Sequence, residues 1–509
     1  MVTISRRQFS QGLASLPFIQ IISPSFASGA ESPFRHGVAS GDPRHDSVVL
    51  WTRVSGMNDG VRVGWVLAND PELTQVVSRG EFRTGPERDF TVKVVPQGLT
   101  AGVDYYYRFI CDGVHSDTGR TRTLPQGDVS QLGLALASCS NYAFGFFNAY
   151  RAIALDPDIS FVLHTGDYLY EYGAKGWGGE IAASIGRVHQ PGHEIISLAD
   201  YRIRHSQYKA DTDSQLMHRS HPLIALWDDH ESANNPWYGG AQNHQPDEGD
   251  WQERRAASVQ AYYEWMPVRD PQEGSSALDF WRHYEFGKLF SLTTLETRHT
   301  ARARQIDYSD YLATVNSPAA ARRFEAEVLG APGREMLSAK MKEFLSDSLR
   351  RSVVTGCQWH LVGNAIPMAK TRVPDITAAG IRMPGASDAV PGTSADLAWK
   401  GQFNLPIYPD TWDGYPWARE AFYELCAEAG CEDLVVLTGD SHSFWANLLT
   451  NNAGKSVGVE IGTAGITSPG DFLESGFDVL SAARLDELMA THNPDIRWTS
   501  NFHQGFVKL

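Results

Sequence analysis

The chain has 509 residues, 42% of them hydrophobic and 20% charged, which excludes a disordered or fibrous protein and predicts two domains or one large decorated one. Its formal charge of −16 disfavours stable nucleic-acid binding, because an acidic surface repels phosphate, and suits cations such as calcium that need clustered oxygen ligands.

Residues 1–30 read as a targeting segment. In "SRRQFSQGL" Arg6 and Arg7 precede Phe9 and a mildly apolar run to Ile22, and small residues offer cleavage after Ala27 or Ala30. That order predicts a twin-arginine signal peptide, the Tat translocase as partner during export, and a periplasmic or extracellular location. Pro17 and Pro24 interrupt the short apolar part, so it is no permanent bilayer span. No other stretch is apolar enough for a transmembrane segment.

Residues 33–125 look all-β. "DSVVLWTRV", "VRVGWVLAND", "FTVKVVPQGL" and "DYYYRFICDG" are short β-rich runs split by turn residues, as in a small immunoglobulin- or fibronectin-like sandwich. "GRTRTLPQGD" at 119–128 reads as a linker. From 132 to 509 the pattern is α/β. "LGLALASCS", "ISFVLHTGD", "HPLIALWDDHE", "QWHLVGNAIP", "EDLVVLTGDSHS" and "SVGVEIGTAG" are apolar runs of the kind covered on both faces. Between them "FGFFNAYRAIAL", 333–352 and 417–430 have helical spacing. The expected architecture is a central, largely parallel sheet carrying helices, with long loops at 173–200, 232–252 and 370–416 acting as lids. Five cysteines leave at least one thiol unpaired; Cys426 and Cys431 are near enough in sequence to bridge, and Cys139 is the candidate odd one.

"VLHTGDYLYEYG" raises the functional question, because a buried run ends on Asp167 with Tyr168, Tyr170, Glu171 and Tyr172 just behind it. Alone, Gly-Asp is a common turn. It has company, however, in Cys139-Ser140-Asn141, in Asp228-Asp229-His230-Glu231, in Asn364, and in Asp440-Ser441-His442, each closing another apolar run. In an open α/β sheet such ends meet on one rim. Acidic groups gathered there need cations. Asp167 has two oxygens and can bridge two metals. A phenolate and a thiolate from Tyr170 and Cys139 suit ferric iron, and the aspartates with the Asn364 amide suit a hard divalent ion.

The order GD-x-x-Y, DDHE, GN and GD-x-H resembles the calcineurin-like metallophosphoesterases. Cys139, Tyr170, Asp229 and Asp440, at the positions where the chain departs from the usual blocks, resemble those of the PhoD-type alkaline phosphatases. "FRHGVASGDPRHDSVVLWTRV", "AYYEWMPVR" and "GRTRTLP" extend the likeness over nearly the whole chain. The resemblance implies a metallophosphoesterase-like α/β sandwich around a mixed, largely parallel sheet, preceded by the small β domain. It implies a phosphatase and phosphodiesterase that acts on phosphate mono- and diesters and releases inorganic phosphate. By it, Cys139, Asp167, Tyr170 and His442 hold Fe3+. Asp167, Asp229 and Asp440 hold Ca2+ or another divalent ion, with Asp228 and Asn364 as further ligands. His230 acts on the phosphate or leaving oxygen together with Asp167, and Asn141 and Arg298 face the substrate. Two departures stand out. Glu296 in "TTLETR" replaces an expected Asp, so Arg298 and Arg302 face either phosphate or a surface ion pair. "NFHQGFVKL" stops where a strand begins and the family continues. Two other readings stay open: a dimetal hydrolase of carboxylic esters or lactones, and a non-catalytic cell-surface binding protein.

Overall fold

In the computed structural model, which describes residues 32–384 and 394–509, the largely parallel sheet expected from the apolar runs is present twice. The first sheet has seven strands in the order Val507–Lys508, Gly133–Ala137, Ile159–His164, Leu223–Ala225, Val38–Gly41, Val49–Arg53 and Thr91–Val94. Its middle pairings are parallel: Phe161 lies opposite Leu134, Val162 opposite Leu223, and Gly41 opposite Leu223 as well. The second sheet, also of seven strands, runs Arg282–Phe286, Phe290–Thr294, Trp359–Gly363, Leu434–Thr438, Ser456–Gly462, Phe444–Thr450 and Ile496–Ser500. Again the centre is parallel and the edges antiparallel.

The sheets face one another across an apolar layer. Leu134, Leu136, Phe161, Leu163 and Ile224 come from one side and Tyr284, Phe286, Leu292, Leu361 and Leu437 from the other, all buried. Helices Leu198–Lys209, Thr212–Ser220 and Trp251–Trp265 cover the outer face of the first sheet, and Ala339–Thr355 and Pro416–Glu428 that of the second. Strands buried on both faces explain the continuous apolar runs.

The region 33–125 supplies both an independent layer and part of the main body. Val61–Ala68, Val76–Thr84, Asp104–Cys111, Val114–His115 and Gly119–Arg122 form a five-stranded antiparallel sheet. The opposing layer, through Val38, Leu50 and Val92, is the continuation of the first large sheet. Pro33–Leu509 is accordingly one compact unit. Val507 and Lys508 pair antiparallel with Leu136 and Ala135 at that edge of the first sheet. All five cysteines are free and buried, and Cys426 and Cys431 form no disulfide. The proposed signal peptide, 1–30, lies outside the described residues.

Candidate metal centre

Every expected ligand follows the carboxyl end of a strand near the sheet centres. Ala137 leads to Cys139, His164 to Asp167, Ala225 to Asp228, Gly363 to Asn364, and Thr438 to Asp440. Backbone bonds lock these ends together. Cys139 N donates to Gly166 O at 3.2 Å, Asn364 N to Leu437 O at 2.9 Å, and Ile466 N to Ser138 O at 2.9 Å, the last crossing between the sheets. Cys139, Asp167, Asp440 and His442 all take left-handed backbone, with φ of 57°, 53°, 65° and 52°. Such conformations cost on the order of 1–3 kcal/mol each and collect where geometry serves a site.

The side chains converge. Cys139 Sγ donates to Asp167 Oδ2 at 3.3 Å, Tyr170 donates to the same oxygen at 3.2 Å, and Tyr170 Oη lies 3.3 Å from His442 Nε2. Burial, and then Asp167, pushes the Cys139 thiol and the Tyr170 hydroxyl well above their ordinary pKa values. Burial, and then Asp229, does the same to Asp167. The His442 imidazole is pushed down to about 3 by burial and by His230, so it is neutral. This is the state of a donor set whose anionic forms need a cation among them.

Asp167 joins this group to a second. Asp167, Asp229 and His230 bring ligand atoms within 4.8 Å of one another, and so do Asp228, Asp229 and Asp440. Arg298 enters the second group: its Nε donates to Asp228 Oδ1 at 2.5 Å and its Nη2 to Asp440 Oδ1 at 2.8 Å. One guanidinium among three carboxylates leaves the group short of positive charge. Asp228 Oδ2 has no hydrogen-bond partner despite full burial. Both groups fit a metal ion in donor type.

The other expected residues divide. Arg298 is fully buried, which rules out the surface ion pair, and its Nη1 is without a partner. Asn141 Oδ1 accepts from Ala143 N at 3.0 Å, leaving its buried Nδ2 unspent. Arg302 is turned elsewhere, onto the Asp410 carbonyl, the Met336 sulfur and the Tyr415 ring, and not to the acid cluster. Asn364 donates from Nδ2 to Ile366 O at 2.5 Å and accepts from Trp412 Nε1 at 3.3 Å, so its amide serves its own turn. His230 also has a partner outside these groups. Its Nδ1 is 2.6 Å from Glu171 Oε2, and its ring stacks on Tyr170 at 4.2 Å. Burial opposes a charged imidazole there, but Asp229, Glu171 and Asp167 outweigh it and hold the pKa well above the ordinary value.

Several supporting residues escape sequence reasoning. Glu171 also accepts from Asn234 N at 2.7 Å and Asn243 Nδ2 at 2.8 Å. Glu231 accepts from the backbone N–H of Asp167, Tyr168 and Asp228 at 3.0, 2.6 and 2.7 Å, pinning two strand ends. Glu296 accepts from Arg298 N, His299 N and Thr300 N, shaping the turn that presents Arg298. Ser468 Oγ shares a 2.8 Å hydrogen bond with Tyr170. Trp177 stacks near both His230 and His442, at 6.3 and 5.5 Å. The sequence signals were the crowded glutamate in "GDYLYEYG", the last letter of "DDHE", Glu296 in "TTLETR" and the flagged loop at 173–200.

Two family models and two relatives match the chain. The family described as "PhoD-like phosphatase" matches residues 134–509, and "PhoD-like phosphatase, N-terminal domain" matches residues 21–125. Alkaline phosphatase D of Bacillus subtilis (strain 168) is 32% identical, over 99% of this chain and 82% of that protein. A solved structure described as "Structure of PhoD" superposes with a TM-score of 0.73 at 30% identity, covering 95% of this chain and 85% of that one.

Proposed function

We propose, from the premise that this chain belongs to the PhoD-like phosphatase family, that it is an exported, metal-dependent phosphatase hydrolysing phosphate mono- and diesters to inorganic phosphate. The observation that carries the metal dependence is the meeting of Cys139, Asp167, Tyr170 and His442 within 3.2–3.3 Å contacts, next to Asp228, Asp229 and Asp440. Thiolate, phenolate, carboxylate and neutral imidazole together suit Fe3+. The aspartates, with Asp167 shared, suit Ca2+. When bound, such ions polarise the phosphoryl oxygens and lower the pKa of water.

The chain's own groups do the rest. The 2.6 Å bond from His230 Nδ1 to the buried Glu171 carboxylate, a group outside the proposed ligand set, supports His230 as the proton donor to the leaving oxygen. Glu171 fixes Nδ1, so Nε2 is the nitrogen that faces substrate. The free Nη1 of Arg298 and Nδ2 of Asn141 are unspent donors suited to phosphate oxygens. Trp177 lies over both histidines and limits water. The Arg6-Arg7 pair supports export through the twin-arginine route to the periplasm or beyond. Among the described residues no helix is long and apolar enough to cross a membrane.

The test is a parallel assay of purified, metal-loaded protein on p-nitrophenyl phosphate, bis-p-nitrophenyl phosphate and p-nitrophenyl acetate. Both phosphate esters turn over on this reading, and hydrolysis is lost on chelation. Turnover of the acyl ester alone supports a carboxylic-ester hydrolase, and turnover of none supports a binding protein.

A further inference from the structure

We propose that this chain carries a separate site for one borderline divalent cation of the zinc type, formed by His360, Cys431 and Asp433 at the far end of the second sheet from the candidate centre. Strands Trp359–Gly363 and Leu434–Thr438 run parallel, with His360 opposite Leu434. The candidate centre follows their carboxyl ends, whereas these three residues sit at or just before their amino ends. At about 3.3 Å per residue, the two places are roughly 13 Å apart along the strand.

The ligand atoms lie within 4.8 Å of one another, and Cys431 Sγ is 3.9 Å from Asp433 Oδ1. Zinc bonds of about 2.0–2.3 Å in tetrahedral geometry space their ligand atoms by roughly 3.3–3.8 Å. The Asp433 side chain is exposed and able to turn toward the buried Cys431 and His360, and binding draws the three atoms together by at most about 1.5 Å. An independent feature points the same way. His360 Nδ1 is bonded to Ser352 Oγ at 2.8 Å, and that hydroxyl to Ser291 Oγ at 2.6 Å. A ring nitrogen pinned in this manner is the usual outer support of a metal-binding histidine and leaves Nε2 for the ion. One nitrogen, one sulfur and one oxygen form the mixed donor set of borderline metals, with a fourth position open to water. Binding displaces the Cys431 thiol proton to solvent. The ion then ties two adjacent strands to the turn after helix Pro416–Glu428.

The probe is Co2+ or Zn2+ added to the purified full-length protein. Wild type is expected to take up a single equivalent more than Cys431→Ser or Asp433→Asn. With the candidate centre loaded beforehand with iron and calcium, cobalt gives wild type a further thiolate-to-metal band that Cys431→Ser lacks and that Asp433→Asn shows only at about tenfold higher cobalt. Asp433→Asn, on an exposed side chain, keeps the fold and the basal phosphatase activity, and it weakens uptake at least about tenfold, in the range seen when a site loses a supporting group. Zinc raises the thermal midpoint of wild type but not of the variants. Equal uptake and equal spectra in all three proteins would overturn the site. So would a Cys426–Cys431 disulfide in the non-reduced peptide map of protein purified from its exported location.

Discussion

His230 and Glu171 are joined at 2.6 Å, and the proposed proton transfer turns on that pair. The His230 Nδ1 is spent on Glu171 and its ring stacks on Tyr170 at 4.2 Å, as suits the proposed action on substrate rather than on a metal. His230→Ala should therefore lower kcat by about 10²–10⁴-fold, the usual worth of a proton donor, with iron and calcium contents near those of wild type. Stoichiometric metal loss in that variant would make the imidazole a ligand. Glu171→Gln keeps an oxygen for Asn234 and Asn243 but removes the charge that sustains the imidazolium. A fall in kcat of about 10–100-fold at nearly constant KM is expected from steady-state kinetics, since second partners of site residues are worth that much. Cys139, Asp167, Tyr170, Asp228, Asp229, Asp440 and His442 were legible in the sequence because each lies within a few residues of where an apolar run ends. Glu171, Trp177, Glu296 and Ser468 were not, because their roles depend on partners far away in the chain. Arg302 misled for the same reason, its neighbours Asp410 and Tyr415 being distant in sequence.

Strand ends, as elements, hold the site in register. Gly166, at φ 104°, sits where strand Ile159–His164 hands over to Asp167, and a Cβ there would lie 2.4 Å from Asp228 Cβ and 2.5 Å from Asp228 N. Gly166→Ala drives two ligand loops apart. It should cost about 3 kcal/mol or more in urea unfolding and release metal, because strain and overpacking combine. Gly113→Ala is the control, with φ 76° and nothing within 4 Å of the added carbon. It should cost only about 1–2 kcal/mol and leave metal content unchanged. Elements buried on both faces were readable as apolar runs. Helix Trp251–Trp265 was not, since Arg254, Ser258 and Glu264 are buried beside Val259 and Tyr262 and blur the helical period. Val38–Gly41 was equally hidden. Its "VASG" is fully buried, yet nothing in four small residues says that Gly41 will pair with Leu223 in the main sheet. The β region was consequently legible as a sandwich but not as one sharing a layer with the catalytic body.

Across the whole molecule, the acidic charge and the arginine pair at the start are the features on which the proposed export and cation binding rest. Replacing Arg6 and Arg7 with lysines should strand phosphatase activity in the cytoplasmic fraction, because the translocase reads the arginine pair as an address. Normal activity outside the cytoplasm from that variant would dismiss the twin-arginine route. The dependence of phosphate-ester hydrolysis on a metal held by Cys139, Asp167, Tyr170 and His442 is what we propose. It is tested most directly by measuring iron content, visible absorption and p-nitrophenyl phosphate turnover together on wild type and Tyr170→Phe. That dependence predicts an iron-bearing, violet, active wild type, the colour arising from phenolate-to-iron charge transfer. It predicts a Tyr170→Phe protein that is bleached and at least about tenfold less active, since a ring without its oxygen cannot offset the metal's charge. A colourless, iron-free wild type with full phosphatase activity, matched by Tyr170→Phe, would contradict it.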